Sequence, residues 1–215
     1  LHKAVEDYEK SNRTLSLQET QEAFKESYVD SVAEQCEETP NFAYWFWSGP
    51  YDGRADIERR WGIGLEQVEK YLRWAEAHPE EEMWITPDGV AAVELPFTVE
   101  IGGVEVRGVI DQVLGPDARP RDVKSGNKPG NPFQLGTYGM ALRRQYGVQP
   151  ETADFWMGKT GKPTKPVELA DWPDDRLGEI FAEADDGIRA ESFDPDPEPS
   201  KCYFCQVRDS CAFSM

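Results

Sequence analysis

The sequence has no run of 18 or more apolar residues, and no charged-then-apolar leader opens it. The first absence argues against a membrane-spanning helix, and the second against secretion, so a cytoplasmic protein with no membrane partner is expected. No internal repeat is visible, which removes solenoids and arrays. Basic charge is scarce: 23 Lys and Arg stand against 41 Asp and Glu, a formal charge of −18. Such a chain repels nucleic acid as a whole, because phosphate neutralisation supplies most of that affinity. Cysteine is scarce as well, at four, and three of the four fall within the last fourteen residues. Without any sign of secretion, that clustering is not a disulfide framework.

What is present describes a folded domain. A chain of 215 residues buries roughly 70–75% of its unfolded surface, and 39% hydrophobic with 12% aromatic content argues against disorder. The charge is also uneven. Residues 117–165 hold nine Lys and Arg against four acids, a net +5 that leaves −23 elsewhere. A locally positive cleft in an acidic body can focus an anionic ligand, and a solvated fluctuation of charge reads equally well.

The pattern divides the chain into three. Residues 1–82 read as helical, with Leu17–Cys36 and Asp56–Ala77 carrying apolar residues at three- and four-residue spacing around an aromatic insert, Asn41–Gly53. Residues 83–191 alternate strands and helices. Ala91–Val99, Val104–Leu114 and Arg121–Lys124 read as strands, Pro132–Tyr146 as a helix, Thr152–Met157 and Pro166–Leu169 as strands, and Pro173–Ala190 as an acidic helix. Gly102-Gly103 marks a hairpin turn. Residues 192–215 are a Pro/Asp linker, Ser192–Ser200, and a Cys-rich tail. The expected class is mixed α/β (α+β).

Three acids and a lysine on the strands carry the chemistry: Glu94, Asp111, Asp122 and Lys124. Asp122 and Lys124 are two apart on one strand and share a face, with Val123 on the other. Asp111 interrupts an apolar run, where a carboxylate costs several kcal/mol to bury unless something compensates, by order of magnitude. Carboxylates converging on one point suit magnesium or manganese, which prefer oxygen ligands. A lysine beside them can orient a water and stabilise charge on a phosphoryl oxygen. Edge-strand charges and a simple Asp–Lys ion pair are the alternative for any one of these residues.

The ordered set Gly108-Val109-Ile110-Asp111, Asp122-Val123-Lys124 and Gln134-Leu135-Gly136-Thr137-Tyr138 resembles the PD-(D/E)xK nucleases, especially their RecB-like exonuclease branch. His2 with Glu6 stands where that branch carries an early-helix histidine. The resemblance implies a restriction-endonuclease-like core, a mixed sheet flanked by helices. It implies that Asp111, Asp122 and His2 ligate the metal, with help from the Val123 carbonyl, and that Glu94 supports the metal or its water. Lys124 would polarise the attacking water, and Gln134 and Tyr138 would steady the site and the DNA backbone. The activity implied is exonucleolytic hydrolysis of DNA with a single-stranded end. The alternative is an end-processing subunit that works with a protein partner in a recombination or CRISPR-adaptation complex.

The tail cysteines, Cys202, Cys205 and Cys211, have metal-binding spacing that suits zinc or iron–sulfur alike. The AddB-type and CRISPR-associated members of the branch close with this pattern, which implies a 4Fe–4S clasp joining the chain ends. Their fourth cysteine precedes the histidine. Here none does: either that ligand lies in a missing N-terminal segment, in keeping with the Leu1 start, or Cys36 replaces it. The rings near the tail, Tyr203, Phe204 and Phe213, are expected to pack around the cluster. Those of the insert, Tyr44, Trp45, Phe46, Trp47 and Tyr51, are core or a base-stacking surface.

Overall fold

The computed structural model describes residues 1–42, 45, 51–203, 205 and 207–215. Three helices come first: α1 (His2–Lys10), α2 (Leu17–Glu38) and α3 (Gly53–Ala77). The strands β1 (Val93–Ile101), β2 (Val104–Leu114) and β3 (Arg119–Lys124) follow, then α4 (Pro132–Tyr146) and β4 (Thr152–Met157). Two short strands, β5 (Lys162–Pro163) and β6 (Val167–Glu168), precede α5 (Asp174–Arg189) and α6 (Pro199–Tyr203). No helix among the described residues is long and apolar enough to cross a membrane.

Local chemistry sets the element ends. Ser16 and Glu19 form a reciprocal capping box at the start of α2. At α4, Asn131 caps the Phe133 amide, Pro132 takes the first turn, and Gly147 closes the helix at φ 69°. The β1–β2 hairpin turns on Gly102 and Gly103, both at positive φ, as the tight turn requires. Two expectations change. The strand read at Pro166–Leu169 shrinks to Val167–Glu168, because Leu169–Asp171 winds into a 3-10 turn, and the pairing of β5 with β4 left no periodic signal in only two residues.

The strands form one sheet in the order β1-β2-β3-β4-β5, with β6 also on β4. The first three are antiparallel, and β3 and β4 are parallel. A parallel neighbour needs a crossover, and α4 supplies it. The sheet separates two cores. On one face Leu95, Phe97, Ile110, Val113 and Phe155 pack with Leu135, Tyr138 and Leu142 of α4 and Leu177 of α5. On the other, Val123 and Trp156 pack against Ala4, Val5 and Tyr8 of α1, Phe24 of α2 and Val68, Tyr71 and Leu72 of α3. The helical region is therefore seated on β3 and β4 rather than appended to the sheet.

Under α3 lies an ionic network that the sequence pattern does not announce. Arg121, with a side chain 2% exposed, bonds Asp154 through Nε at 2.6 Å and Glu81 through Nη1 at 2.7 Å. Arg119 spans the same two carboxylates at 2.9 and 2.8 Å. Burial opposes ionisation of Glu81, but bonds from Arg121, Trp74 and Arg119 outweigh it and hold its carboxyl at about 2 against an ordinary 4.5. A depressed folded value contributes stability that is present above pH 4.5 and lost as pH falls toward 2. Acid unfolding followed by circular dichroism is therefore expected to show a steep loss in that window, shallower in Glu81→Gln.

Candidate active site

The sheet forks at the acidic residues. The β2–β3 ladder ends at Gln112–Arg121, so the next opposed residues, Asp111 and Asp122, face each other without a backbone bridge. Beyond the fork the Val123 amide has no strand to bond, and Asp111 Oδ2 accepts it at 2.7 Å. The Val123 carbonyl meets His2 Nε2 at 2.6 Å, so that nitrogen carries the proton and donates. His2 Nε2 also lies 3.5 Å from Asp111 Oδ2. Thus α1, held by its apolar face, delivers His2 to the point where β2 and β3 part.

The same level is irregular on β1. Glu94 sits at φ 49°, a left-handed value uncommon for a residue with a side chain, and it drops out of the ladder opposite Asp111. Along β1 the residues packed on the α4 core run Ala92 then Leu95, and along β2 Ile110 then Val113. Both strands skip three residues instead of two, so both change facing across Glu94 and Asp111. Backbone outliers of this kind cost of order 1–3 kcal/mol and cluster at functional sites. Burial raises the Glu94 carboxyl pKa above its ordinary value, and the neighbouring Asp111 charge adds to it.

On the α4 face, four side chains close a ring. Lys124 Nζ lies 2.7 Å from Asp122 Oδ2 and donates to Gln134 Oε1 at 3.1 Å. Gln134 Nε2 donates to Tyr138 Oη at 2.8 Å, and Tyr138 Oη points back to Asp122 Oδ1 at 3.5 Å. The spacing of Gln134 and Tyr138, four apart, is what brings both onto one side of α4. Asp122 is 2% exposed, and burial raises its carboxyl pKa, with Asp111 adding and Lys124 opposing. Burial first, then the Asp122 charge, pushes the Tyr138 phenol well above its usual range, so it remains a neutral donor. Gln134→Ala frees Lys124 from this ring and is expected to lower any activity roughly 10- to 100-fold without unfolding the chain, by analogy with the loss of a positioning group. Steady-state rates beside a melting curve check it.

Sequence reasoning overlooked two supports. Phe155 lies under Lys124, its ring centre 5.8 Å from Nζ. Gly130 leaves room for the lysine stem: a Cβ there would stand 2.9 Å from Lys124 Cε. The apolar alternation of β4 carried the first signal, and the second had none. Glu6, read beside His2, is instead paired with Lys3 and Lys10 of its own helix.

A sequence model of the PD-(D/E)XK nuclease superfamily matches residues 1–212. The chain belongs to that superfamily. Two relatives, each named Gene 69 protein, come from mycobacteriophages. The one from phage D29 is 48% identical over 97% of this chain and 80% of its own length. The one from phage L5 is 44% identical over 98% of this chain and 82% of its own. A crystal structure from Eubacterium rectale, named as an assigned exonuclease, aligns over 93% of this chain and 77% of its own at 12% identity and a TM-score of 0.46. That likeness is too distant to argue from. The mixed sheet flanked by helices is the fold of this superfamily, as expected.

Does this nuclease's site suit magnesium or manganese? Among the described residues no three His, Cys, Asp or Glu side chains are grouped to hold a metal ion. Magnesium, however, usually keeps several waters and takes one or two protein carboxylates. Asp111 and Asp122 supply two, at mutual electrostatic cost. Buried Asp122 holds Lys124 Nζ at 2.7 Å through Oδ2, and faces Asp111 across the fork. A hard cation fits such a donor set.

The cysteines are a different case. All four are free: Cys36 is half-buried on α2, Cys202 is buried on α6, and Cys205 and Cys211 are exposed. The described residues assemble no cluster or zinc ligand set from them, and no chemistry is assigned to them. Tyr203 and Phe213 are more than half exposed, so neither is buried in packing. Phe204, Tyr44, Phe46 and Trp47 lie outside the described residues. Trp45 packs edge-on to Phe42 and donates to the Thr39 carbonyl, and the Tyr51 ring meets Arg59.

Proposed function

We propose that this nuclease is a metal-dependent exodeoxyribonuclease of the RecB-like branch, hydrolysing phosphodiester bonds at single-stranded DNA ends. The observation that carries the reading is the fork of β2 and β3, with Asp111, His2 and the Val123 peptide on one side and the Asp122–Lys124–Gln134–Tyr138 ring on the other. Asp111 and Asp122, with the Val123 carbonyl and His2, would hold the magnesium or manganese. When bound, that ion neutralises phosphate charge and lowers the pKa of a coordinated water.

The chain's own groups do the rest. Lys124, held toward Asp122 and Gln134, presents a positive charge where a water and a phosphoryl oxygen would meet, stabilising charge that grows in the transition state. Gln134 and Tyr138 keep that ammonium from swinging into solvent. Glu94, level with Asp111 across the break in the β1–β2 ladder, would support the metal or its water.

End-labelled single-stranded DNA incubated with the full chain and manganese, magnesium or EDTA tests the reading. Progressive shortening with either metal and none in EDTA is expected. Intact DNA under every metal would overturn it, and shortening only on adding a protein partner would replace it with the end-processing alternative.

A further inference from the structure

A cavity of about 560 Å³ opens directly beside the catalytic cluster. Leu1, next to His2, lines it on one side, and Ser125 and Gly126, next to Lys124, line it on the other. The third wall is α3, tied to the strand end by Gln67 Nε2 donating to the Ser125 carbonyl at 2.9 Å. The space therefore continues the site rather than lying elsewhere on the surface.

Its charge runs against the rest of the molecule. Arg59, Arg60, Lys70 and Lys159 line it, with Glu66 as its one acid, in a chain of net −18. Asp56, 1% exposed, grips Arg59 and Arg60 together at 2.6 Å each and fixes both guanidiniums at the mouth. Lys70 reaches the Lys159 carbonyl at 3.1 Å, which brings the two lysines side by side. Lys70 meets Glu66 at the outer limit of an ion pair, 3.9 Å, and among the described residues Lys159 has no carboxylate within that distance. At the floor, the part-buried Tyr28 ring lines the cavity, backed by the buried Phe24 ring with centres 5.6 Å apart.

Cations at the rim and flat rings on the floor are the chemistry of a nucleic acid strand with its bases unstacked: phosphates for the first, base faces for the second. We infer that this cavity is the seat of the single strand next to the scissile phosphate, with Lys70 and Lys159 holding its backbone and the Tyr28 ring, backed by Phe24, taking a base. Its volume is in the range of small-ligand pockets, about 300–1,000 Å³, and suits one or two nucleotides rather than a duplex. The single-strand preference thus comes from the gap between α3 and the loop after β3. The inference rests on the nuclease reading and adds to it the residues that seat and select the single strand.

The test separates the two. Binding of a fluorescein-labelled dT12 is followed by anisotropy in EDTA over a range of salt, for the parent and for Lys70→Ala/Lys159→Ala. Hydrolysis of bis(p-nitrophenyl) phosphate, which needs the catalytic cluster but no strand, is followed with manganese. Loss of two phosphate contacts is expected to flatten the log–log salt slope by about 1.4 and to weaken binding on the order of 20-fold at 0.1 M salt. Lys70→Arg/Lys159→Arg should restore both, and the small diester should be cleaved at the parent rate throughout. Unchanged affinity and slope in the alanine pair would overturn the inference, as would a duplex that competes equally with dT12. A parent that binds dT12 with the expected lysine dependence but hydrolyses nothing would instead overturn the nuclease reading and leave the strand seat standing.

Discussion

Asp122→Asn is expected to lower DNA hydrolysis at least about 1,000-fold while leaving the metal-free protein as stable as before or more so. In the proposed mechanism the loss follows from removing a charge that would serve two functions: a cation ligand and the anchor that aims Lys124, 2.7 Å away. Loss of one group that stabilises transition-state charge costs about 10²–10³ in rate, and two lost together cost more. The stability side runs the other way. Burial and the Asp111 charge raise the folded pKa of Asp122 above its ordinary 3.8, so its ionisation weakens the metal-free fold as pH rises through that window. An asparagine has no such charge. Lys124→Ala should lose activity comparably, but without that stabilisation, since it leaves Asp122 2% exposed and unpaired. Melting curves in EDTA beside hydrolysis rates in manganese read both effects. Full activity in either variant would remove Asp122 and Lys124 from the reaction.

Arg121→Met is expected to destabilise the fold by about 3 kcal/mol, the low end of what breaking a buried pair costs. Arg121 and Asp154 have side chains 2% and 1% exposed, so removing the guanidinium strands a carboxylate in the interior. The figure sits at the low end because Arg119 remains bonded to both Asp154 and Glu81. Total stabilities of about 5–15 kcal/mol make that a large fraction. At roughly 2–4 °C per kcal/mol for a chain of this size, the melting point should fall by about 6–12 °C. Adding Asp154→Leu should recover part of the loss, because the stranded charge goes with it. A fall under 1 °C in Arg121→Met would mean that Arg119 alone satisfies both acids. Since Arg121 adjoins Asp122 on β3, the same variant reports whether the network also holds the catalytic strand in register.

The candidate motif was legible because its residues break local rules in the order that the family resemblance carries. Asp111 interrupts an apolar strand, Asp122 and Lys124 sit at strand spacing, and Gln134 and Tyr138 at helical spacing. These are short-range patterns, and the hairpin and crossover that join them are short-range as well. The basic excess over residues 117–165 was legible as a number but not as a surface. Folding divides it: Arg119 and Arg121 enter the buried network, Arg143 and Arg144 pair with Asp174, and Lys124 and Lys159 face the site and its cavity. Three of the cavity's cations come instead from α3, in the helical region where charge looked ordinary.

By itself, then, the sequence determined the order of elements and the fold class, since these follow from side-chain periodicity within one strand or helix, and the set of Asp111, Asp122, Lys124, Gln134 and Tyr138 through its ordered resemblance to the nuclease family. Only the tertiary structure decided where β2 and β3 part, why Glu94 leaves its ladder, and which lysines and arginines meet. Those depend on contacts between residues far apart in the chain, such as His2 and Val123, 121 positions apart. No local pattern encodes a contact whose partner is chosen by the packing of another layer.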